Sequence, residues 1–563
     1  MDRQPPRASS NEIELYLRTI YSLLRSSGEV LVRAFEESHI HCRSSLHAGA
    51  QDAEVDVAAF AYSAARLPAC MPKIRRIVMG QSDAQFRRAG LAVRQWASVT
   101  TRGRRRQLRW DGEHTLAAYV TSVSDIDDLV PIVTAYQIEW NKMHGCLARA
   151  GTRPTDAEAL GSAVGLDEGD TKMLVSALGA PIDAGIDALC AAECELSLRL
   201  LSGSFVEYQR TAQRWWQSIA ESSSVDDDAS PVYFVSSNTH SLANLLSGFA
   251  NVHRERLFDF ARQRNPEGLA SVVDGVVARG DASEIANLSY YLLRQYLHEG
   301  IGDQQARRWE VQAFDREGGV TSLPNPGDVE VGVQVIRLRD LKPERFDARL
   351  EVSDAARLAQ SDAVIVNIDY PLGMGAYHHL SRLAQGMDDL LGVYVMGKAA
   401  TLNAKVGDVM ISTAAYDEHS RNTFLFRNCF SAADIQPYVH ATVLDNQKAL
   451  TVRGSFLQNR EYMGVFYEEG YTVLEMEAGP YLSALYEMVY PRRHPKDEIV
   501  HLSNLVPFDF GLLHYASDTP YSRRQSLLSK SMSYFGVDST YGCALAIARR
   551  ILRAECERLE RAC

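Results

Sequence analysis

The sequence predicts an α/β fold with a mostly parallel central sheet, preceded by a large all-α region. Over residues 361–555, short runs of β-branched and aromatic residues alternate with helical patterns. Such alternation is typical of a parallel sheet with helices on both faces. Residues 11–222 read almost entirely as helices, and a polar, acidic stretch at 222–228 separates the two regions. That stretch is the best linker in the chain.

We therefore divide the 563-residue chain into a helical domain at 1–225 and an α/β domain at 231–563. The α/β domain begins with a strand at 232–235, and a helical insertion is predicted at about 251–330. The remaining strands are predicted from β-branched and apolar runs. They lie at 364–368, 393–396, 409–411, 473–476 and 499–502, ahead of a closing helix at 541–559.

The composition is that of a folded globular protein, with 46% apolar and 23% charged residues and a net charge of −12. An acidic chain of this kind argues against broad binding to nucleic acid or to anionic membranes. The most basic run, at 102–109, is interpreted as a solvated loop rather than a nucleic-acid contact. We therefore expect no nucleic-acid partner.

The nine cysteines are scattered and include no CxxC pair, which favours reduced thiols. The first ten residues lack the apolar stretch of a signal peptide, and no run approaches the roughly 18 apolar residues of a membrane span. We expect a cytoplasmic protein with no membrane partner. No cluster of ligating side chains has metal spacing, so we expect no metal and no cofactor. We also expect a homo-oligomer.

Glycines and one lysine follow two of the predicted strands. Gly373 and Gly375 come after the strand at 364–368, where they can expose amides to an anion or a sugar hydroxyl, or can simply turn the chain. Gly397 and Lys398 follow the strand at 393–396. Lys398 is either a cation for an electron-rich substrate or an ordinary surface lysine.

Two glutamates end the strand at 473–476. Alternation along a strand puts Glu475 and Glu477 on one side and Met476 on the other. Carboxylates at the end of an apolar strand need partners. A ribose supplies them through its hydroxyls, whereas surface glutamates favoured by a helix dipole explain the pattern equally well.

An aspartate follows the apolar pair at 512–513. Asp518 stands between Ser517 and the turn at 519–520, where it can cap a helix, form a turn or act as a general acid. Cleavage of a purine N-glycosidic bond leaves negative charge on the base. An acid placed at N7 protonates the leaving base, which is typically worth about 10²–10⁴ in rate.

Taken together, four segments resemble the purine-nucleoside phosphorylase superfamily, which includes nucleosidases and AMP nucleosidase. They are residues 366–375, 396–409, 474–479 and 517–520. The third is very similar to the ribose-binding strand of that family, written V-E-M-E-[AG]-A, and the fourth to its S-D-x-P segment. The resemblance implies a central sheet of the nucleoside phosphorylase type. The N-terminal half, around residues 124–131, resembles an uncharacterised bacterial helical family, which implies no activity.

The resemblance also implies roles for individual residues. It implies Glu477 on the ribose hydroxyls with Met476 against the sugar, in a strand that also carries Glu475. It implies Asp518 at purine N7, beside Ser517. A base-stacking aromatic of the family is expected at about the position of Phe456. The loops that would face the sugar or an anion contribute Gly375, Gly397, Lys398, Asn238 and Ser241.

Departures from the family concern phosphate. The phosphorylases carry an arginine where this chain has Val395 and a glycine where it has Ala400, and their first loop carries an arginine that is missing here. Charge-assisted contacts are the strong ones for an anion. We therefore predict an N-glycosidase that hydrolyses a purine nucleoside or nucleotide. The alternatives are a phosphorylase of the same fold and a nucleotide-binding regulatory protein with a degenerate pocket.

Overall fold

The computed structural model describes residues 11–103, 106–223, 230–298, 304–386, 389–491, 493–503, 505–519 and 534–562. These residues form two sheets, one of six strands and one of eleven. The predicted boundary between the two regions, at 225–231, lies largely outside the described residues, as does most of the predicted linker. Pro520, at the end of the S-D-x-P segment, also lies outside them.

Helices and short strands alternate in the N-terminal region. The helices are α1 Asn11–Ser26, α2 Arg33–His41, α3 Val57–Ala65, α4 Asp83–Arg88, α5 Val123–Ala150, α6 Ala157–Val164, α7 Glu168–Leu178, α8 Ile182–Ala191 and α9 Phe205–Ser223. The strands are β1 Val30–Leu31, β2 Arg76–Gly80, β3 Ala97–Val99, β4 Leu108–Trp110, β5 Thr115–Tyr119 and β6 Ser197–Leu200.

The prediction of an all-α N-terminal region is therefore wrong. The six strands lie in the order β1-β6-β2-β5-β4-β3, and β2 runs parallel to both of its neighbours. The central strands are short and buried on both faces, as in the run Ile77, Val78 and Met79. Strands of this kind lack the alternation that distinguishes a strand from a helical segment, and the long helices around them dominate the pattern.

The C-terminal region begins with β7. Its helices are α10 Ser241–Ser247, α11 Phe249–Val252, α12 Arg254–Arg264, α13 Ala270–Arg279, α14 Ala282–His298, α15 Gln304–Glu317, α16 Met374–Gln385, α17 Ala432–Ile435, α18 Arg460–Glu468, α19 Ala478–Val489 and α20 Val537–Ala562. Its strands are β7 Val232–Ser237, β8 Val320–Leu323, β9 Val333–Arg337, β10 Val364–Asp369, β11 Leu390–Thr401, β12 Val409–Asp417, β13 Thr423–Leu425, β14 Val443–Thr451, β15 Tyr471–Glu475, β16 Ile499–His501 and β17 Asp509–Asp518.

The large sheet is mixed rather than mostly parallel. Four of its strands, β10, β7, β11 and β17, run parallel to one another and form its centre. Antiparallel pairs flank this centre, among them β9 with β10, β11 with β15 and β12 with β17. The α/β class is confirmed, whereas the expectation of a mostly parallel sheet is corrected. The added strands β8 and β9 follow the helices α11–α15, where the sequence predicts only an insertion.

Strand β11 is long enough to have two partners along one side. Its first half pairs with β7 as far as Val395, and its end pairs with β15 at Ala400 and Thr401. Because β15 is antiparallel to β11, the carboxyl ends of β7 and β15 point toward each other along this side. The gap between them lies beside residues 396–399. On the other side of β11, β17 pairs from Gly392 to Ala400, with a shift in register between Ala399 and Ala400 that skips Ser517.

The two regions pack closely against each other. Helix α9 contributes Trp215, Trp216 and Ile219 to a core shared with the C-terminal sheet. Conversely, the C-terminal region contributes Phe456 and Leu457 to the N-terminal core, where both are buried. The start of helix α5 contacts the turn after β10, where Ser124 bonds to Met374 and Ser122 to Leu372.

Candidate functional site

Glu475 ends β15 and stabilises the start of α19. One carboxylate oxygen accepts hydrogen bonds from the backbone N–H groups of Glu477 and Ala478, each at 2.6 Å, and the other accepts one from the Thr451 hydroxyl. A carboxylate at this position complements both the free N–H groups and the dipole of a helix start. The side chain is buried, at 4% exposure, and its contacts are those of a structural group.

Glu477 lies two residues further on and makes a different set of contacts. One of its carboxylate oxygens accepts a hydrogen bond from the backbone N–H of Gly373 at 3.0 Å. Burial, followed by the neighbouring charge of Glu475, raises the pKa of Glu477, and the Arg106 guanidinium opposes that rise. The side chain is only 6% exposed. This buried acid therefore links the start of α19 to the turn after β10, and its charge lies near the Tyr370 hydroxyl.

Gly373 is required by its backbone conformation and by a close contact with the N-terminal region. Its φ of +51° lies in the region that favours glycine. A Cβ atom there would lie 2.2 Å from the Ser124 hydroxyl oxygen, at the start of α5. The same hydroxyl accepts a hydrogen bond from the backbone N–H of Met374 at 2.9 Å. The turn after β10 is thus held between Glu477 on one side and the N-terminal region on the other.

Met476 is half-buried and packs against an apolar cluster beneath β15. Strand β15 ends at Glu475 and α19 begins at Ala478, so the predicted strand alternation does not extend over Met476 and Glu477. The position of Met476 beside Glu477 is compatible with the predicted contact to a sugar.

Asp518 is the last residue of β17. It pairs with Ala400 of β11, and Ala400 pairs on its other side with Leu474 of β15. Since neighbouring strands lie about 4.8 Å apart, the backbones of Asp518 and Leu474 are about 10 Å apart across β11. The sheet therefore brings the end of β17 close to the strand that ends in Glu475, two residues before Glu477.

Ser517 fixes the end of β17. Its hydroxyl contacts the backbone carbonyl of Ala399 at 3.3 Å and the carboxylate of Asp518 at 3.2 Å, and can donate to either. Both Ser517 and Asp518 are half-buried. Burial raises the pKa of Tyr62 in helix α3, and the charge of Asp518 adds to that rise. Asp518 therefore lies near enough to interact with the N-terminal region.

Phe456 lies in this neighbourhood but is enclosed. Its ring is 1% exposed and forms an edge contact with Tyr62, with centroids 5.3 Å apart. The rings of His39 and His47 lie 5.8 and 6.2 Å away. The faces of Phe456 are therefore taken by N-terminal side chains, and the stacking role predicted from the sequence requires those side chains to move.

The glycine and loop residues are divided between the site and the scaffold. Gly397 lies inside β11 beside the gap, and a Cβ atom there would lie 1.4 Å from the Tyr370 hydroxyl. Alternation puts Lys398 on the opposite face of the strand, where it is exposed. The predicted position of Lys398 at the carboxyl end of a strand is corrected, because β11 continues to Thr401, and its exposure agrees with the alternative of a surface lysine. Gly375 is not in a loop, since α16 begins one residue before it.

The loop after β7 caps a helix. The side-chain oxygen of Asn238 accepts hydrogen bonds from the backbone N–H groups of His240 at 3.1 Å and Ser241 at 2.7 Å. Ser241 is fully buried at the first position of α10. Asn238 therefore has a local structural role that its residue type also explains.

The N-terminal region contributes buried charged side chains near the candidate site, which the sequence did not predict. Arg106 is buried and its Nε pairs with Asp125 at 3.2 Å, so it is not part of a solvated loop. Asp127 pairs with Arg453 at 3.2 Å. Asp128 accepts hydrogen bonds from Ser455. These acidic residues at the start of α5 carried the only sequence signal, since three aspartates in an apolar helix need partners.

The described residues contain neither a metal-binding cluster nor a single membrane-spanning helix. Within them, no group of three or more His, Cys, Asp and Glu side chains is arranged to hold a metal ion. In the same residues, no single helix has the length and apolar character needed to cross a membrane, although the bent pair Glu168–Leu178 and Ile182–Ala191 meets those two criteria.

Comparison with solved structures finds enzymes that act on nucleosides. An enzyme assigned as a methylthioadenosine nucleosidase, from Weissella paramesenteroides ATCC 33313, is 11% identical, with 42% of this chain and 89% of that chain covered and a TM-score of 0.28. Uridine phosphorylase from Schistosoma mansoni, in complex with thymidine, is 14% identical, with 34% and 70% covered and a TM-score of 0.24.

A third similar structure is an enzyme assigned as a 5′-methylthioadenosine/S-adenosylhomocysteine nucleosidase from Borrelia burgdorferi B31, bound to adenine. It is 12% identical, with 33% of this chain and 81% of that chain covered and a TM-score of 0.25. These likenesses are too low to carry an argument about activity. No curated protein matches the sequence.

One family matches nearly the whole sequence. It is the family of unknown function DUF6909, and the match spans residues 32–553. The chain therefore belongs to this family. The match covers both sheets, so the N-terminal region and the C-terminal sheet belong to one family unit.

Proposed function

We propose that this member of the DUF6909 family is an N-glycosidase that hydrolyses a purine nucleoside or nucleotide to free base and ribose or phosphoribose. One observation carries the proposal. Asp518 lies on one side of Ala400, and the strand that ends in Glu475 lies on the other. Asp518 and the acidic end of β15 have different surroundings and are separated by about the length of a nucleoside. A sugar and its base are what such a separation accommodates.

Glu477 would hold the sugar. Its carboxylate is anchored by the backbone N–H of Gly373, and its charge lies near the Tyr370 hydroxyl. A carboxylate accepts hydrogen bonds from two adjacent hydroxyls, as in the 2′ and 3′ positions of ribose. Met476 would pack against the sugar. Glu475 would act as a positioning residue, because its bonds to the start of α19 fix the backbone on either side of Glu477.

Asp518 would protonate the base. As the N-glycosidic bond breaks, the electron pair passes to the base, and a proton from Asp518 at N7 neutralises the developing charge. The sugar becomes an oxocarbenium-like cation, which water attacks at C1′. The water loses a proton to regenerate the acid, so that the products are free base and ribose. Ser517 would orient Asp518 through the contact at 3.2 Å.

Hydrolysis is favoured over phosphorolysis by the residues that would meet a phosphate. Val395 and Ala400 stand where the resembling phosphorylases have an arginine and a glycine. Lys398 is on the opposite face of β11 from Gly397. Arg106 is near Glu477, but its charge is paired with buried Asp125. A phosphate nucleophile would need charge-assisted contacts that these residues do not supply.

The experiment that tests the proposal is a base-release assay on the full chain. Adenosine, inosine, guanosine and their 5′-monophosphates are each incubated with and without inorganic phosphate, and free base is measured. Release of base without phosphate is the expected result. Release that requires phosphate would replace hydrolysis by phosphorolysis, and release from none of the substrates would reject the glycosidase.

A regulatory nucleotide-binding protein is the second candidate function. It is favoured by the enclosure of Phe456 among Tyr62, His39 and His47, because a base could stack there only after the N-terminal region moves. Binding would then be coupled to a change between the two regions. If a nucleoside or nucleotide raises the melting temperature while no base is released, this second function is supported over the first.

A further inference from the structure

Tyr370 is the first residue after β10, and its side chain lies over the face of β11 at Gly397. Its hydroxyl lies against Gly397, where a Cβ atom would be 1.4 Å from the hydroxyl oxygen. No residue larger than glycine fits at that position while Tyr370 stays in place. The phenol therefore occupies the same face of β11 that Glu477 approaches from the end of β15.

The Tyr370 hydroxyl is buried, yet it has no hydrogen-bond partner among the described residues. Buried hydroxyls are nearly always satisfied, and one left without a partner is a destabilising feature that needs an explanation. A ligand hydroxyl that arrives in the gap would supply the missing partner.

The acids around Tyr370 determine which way its hydrogen bond runs. Burial, followed by the charges of Glu477, Tyr515 and Glu475, raises the pKa of Tyr370 well above its usual range. The phenol consequently keeps its proton and is a hydrogen-bond donor. Glu477 is an acceptor when it is ionised. A hydroxyl group can accept from one and donate to the other, whereas a hydrogen atom at the same place satisfies neither.

We propose that Tyr370 is a substrate-contacting specificity residue that donates a hydrogen bond to one of the two ribose hydroxyls held by Glu477. The protein thereby selects ribonucleosides over deoxyribonucleosides. This inference rests on the proposed glycosidase function and deepens it. A site that hydrogen-bonds a substrate hydroxyl discriminates strongly against the analogue that lacks it, because its own buried groups are then left without partners.

The test compares kcat/KM for adenosine and inosine with the values for their 2′-deoxy and 3′-deoxy analogues. The wild-type protein is expected to favour the ribonucleosides by about 100-fold or more over at least one deoxy series. Tyr370→Phe is expected to lower kcat/KM for the ribonucleosides by about 10-fold to 100-fold while changing it little for that deoxy series. The preference for ribose should therefore largely disappear.

Tyr377→Phe is the matched control. Its hydroxyl donates to Glu487 at 2.6 Å, away from the gap, so the same atom is removed without affecting the sugar. This variant should keep the wild-type ratio between ribonucleosides and deoxynucleosides. A purely structural role for Tyr370 would change the melting temperature or overall activity but would leave that ratio unchanged.

The outcomes separate this inference from the proposed function. If no substrate releases base, the glycosidase is rejected, and the inference with it. If base is released but Tyr370→Phe keeps the wild-type ratio, the glycosidase stands and the role of Tyr370 is overturned. Equal cleavage of ribonucleosides and deoxynucleosides by the wild-type protein would overturn it as well.

Discussion

The two ends of the C-terminal sheet differ in the way their polar groups are bonded. At the amino ends of β7, β11 and β17 lies an open cavity of about 730 Å³. Its charged groups are largely paired with one another, as Arg550 is with Asp509 at 2.6 Å. At the carboxyl ends the strand pairing is interrupted beside β11, and near this point Glu477 is buried and the Tyr370 hydroxyl has no partner among the described residues.

The two ends therefore differ in what they offer a ligand. One end has open space, and the other has polar groups that are available to bind. Exposed ion pairs such as those at the amino ends are screened by water and contribute little. Buried acids and hydroxyls without partners can form strong hydrogen bonds to a ligand. Groups with perturbed pKa values are also concentrated at functional sites. The carboxyl ends of parallel strands are also where ligands of open α/β sheets bind. The carboxyl ends of the strands, where these buried acids and the Tyr370 hydroxyl lie, are therefore the better candidate site.

The largest expected effect comes from changing an aspartate at each end of the same strand. Asp518→Asn removes the proposed acid and should reduce base release by about 10²–10⁴. Asp509→Asn changes an aspartate at the other end of β17, where the carboxylate pairs with Arg550. That variant should remain within about 3-fold of the wild-type rate, since loss of an exposed pair is a small effect. Equal activity of the two variants would remove Asp518 from the mechanism.

A second effect distinguishes the two glutamates by activity. Glu477→Gln keeps the shape of the side chain but loses the charge that binds sugar hydroxyls, so kcat/KM should fall by about 10-fold to 100-fold. The measurement is kcat/KM for the best ribonucleoside of the panel and for its 2′-deoxy analogue. The deoxy analogue, with one hydroxyl fewer to hold, should lose less. A uniform loss for both substrates would place Glu477 away from the sugar.

The same pair should behave in the opposite way in a stability measurement. Glu475→Ala leaves the N–H groups of Glu477 and Ala478 without their acceptor. The free energy of unfolding should fall by about 1–3 kcal/mol. Glu475→Gln retains one acceptor oxygen and should recover part of that loss. Urea unfolding of both variants checks this, and an unchanged stability in Glu475→Ala would deny Glu475 its positioning role.

Local patterns in the sequence singled out the acidic residues of the candidate site. Glu475, Glu477 and Asp518 stand at the ends of apolar strands, where carboxylates are rare without a reason. Tyr370 was missed because a tyrosine before Pro371 reads as an ordinary turn residue. Its meaning depends on Gly397, 27 residues further along the chain, and only the sheet brings the two together.

The features that escaped prediction depend on contacts distant in sequence. Arg106 reads as part of a basic loop, but Asp125 and the packing of α5 bury it. Phe456 reads as a stacking ring, but α3 reaches it from some 390 positions away and places Tyr62 against it. The β2 strand lacks alternation because both of its faces are covered. In each case the cause is a tertiary neighbour that no local pattern records.

The smallest expected effect concerns another buried acid, Glu418, which directly follows β12. Its side chain is 3% exposed, and burial raises its pKa to about 8. A folded-state pKa above the unfolded value means that the folded state holds the proton more tightly. The contribution of this proton to the free energy of unfolding is fully present at low pH and is lost as the pH rises through about 8.

Glu418→Gln removes this ionisation while keeping an oxygen for the backbone N–H of Arg453, which now donates to the carboxylate at 3.2 Å. The melting temperature of the variant should match that of the wild-type protein at pH 5 and exceed it by about 2–4 °C at pH 8.5. Glu461→Gln changes an exposed glutamate paired with Arg43 and should show no such dependence on pH. A constant difference between Glu418→Gln and the wild-type protein across this range would mean that the carboxyl of Glu418 is already ionised in the folded state at pH 5.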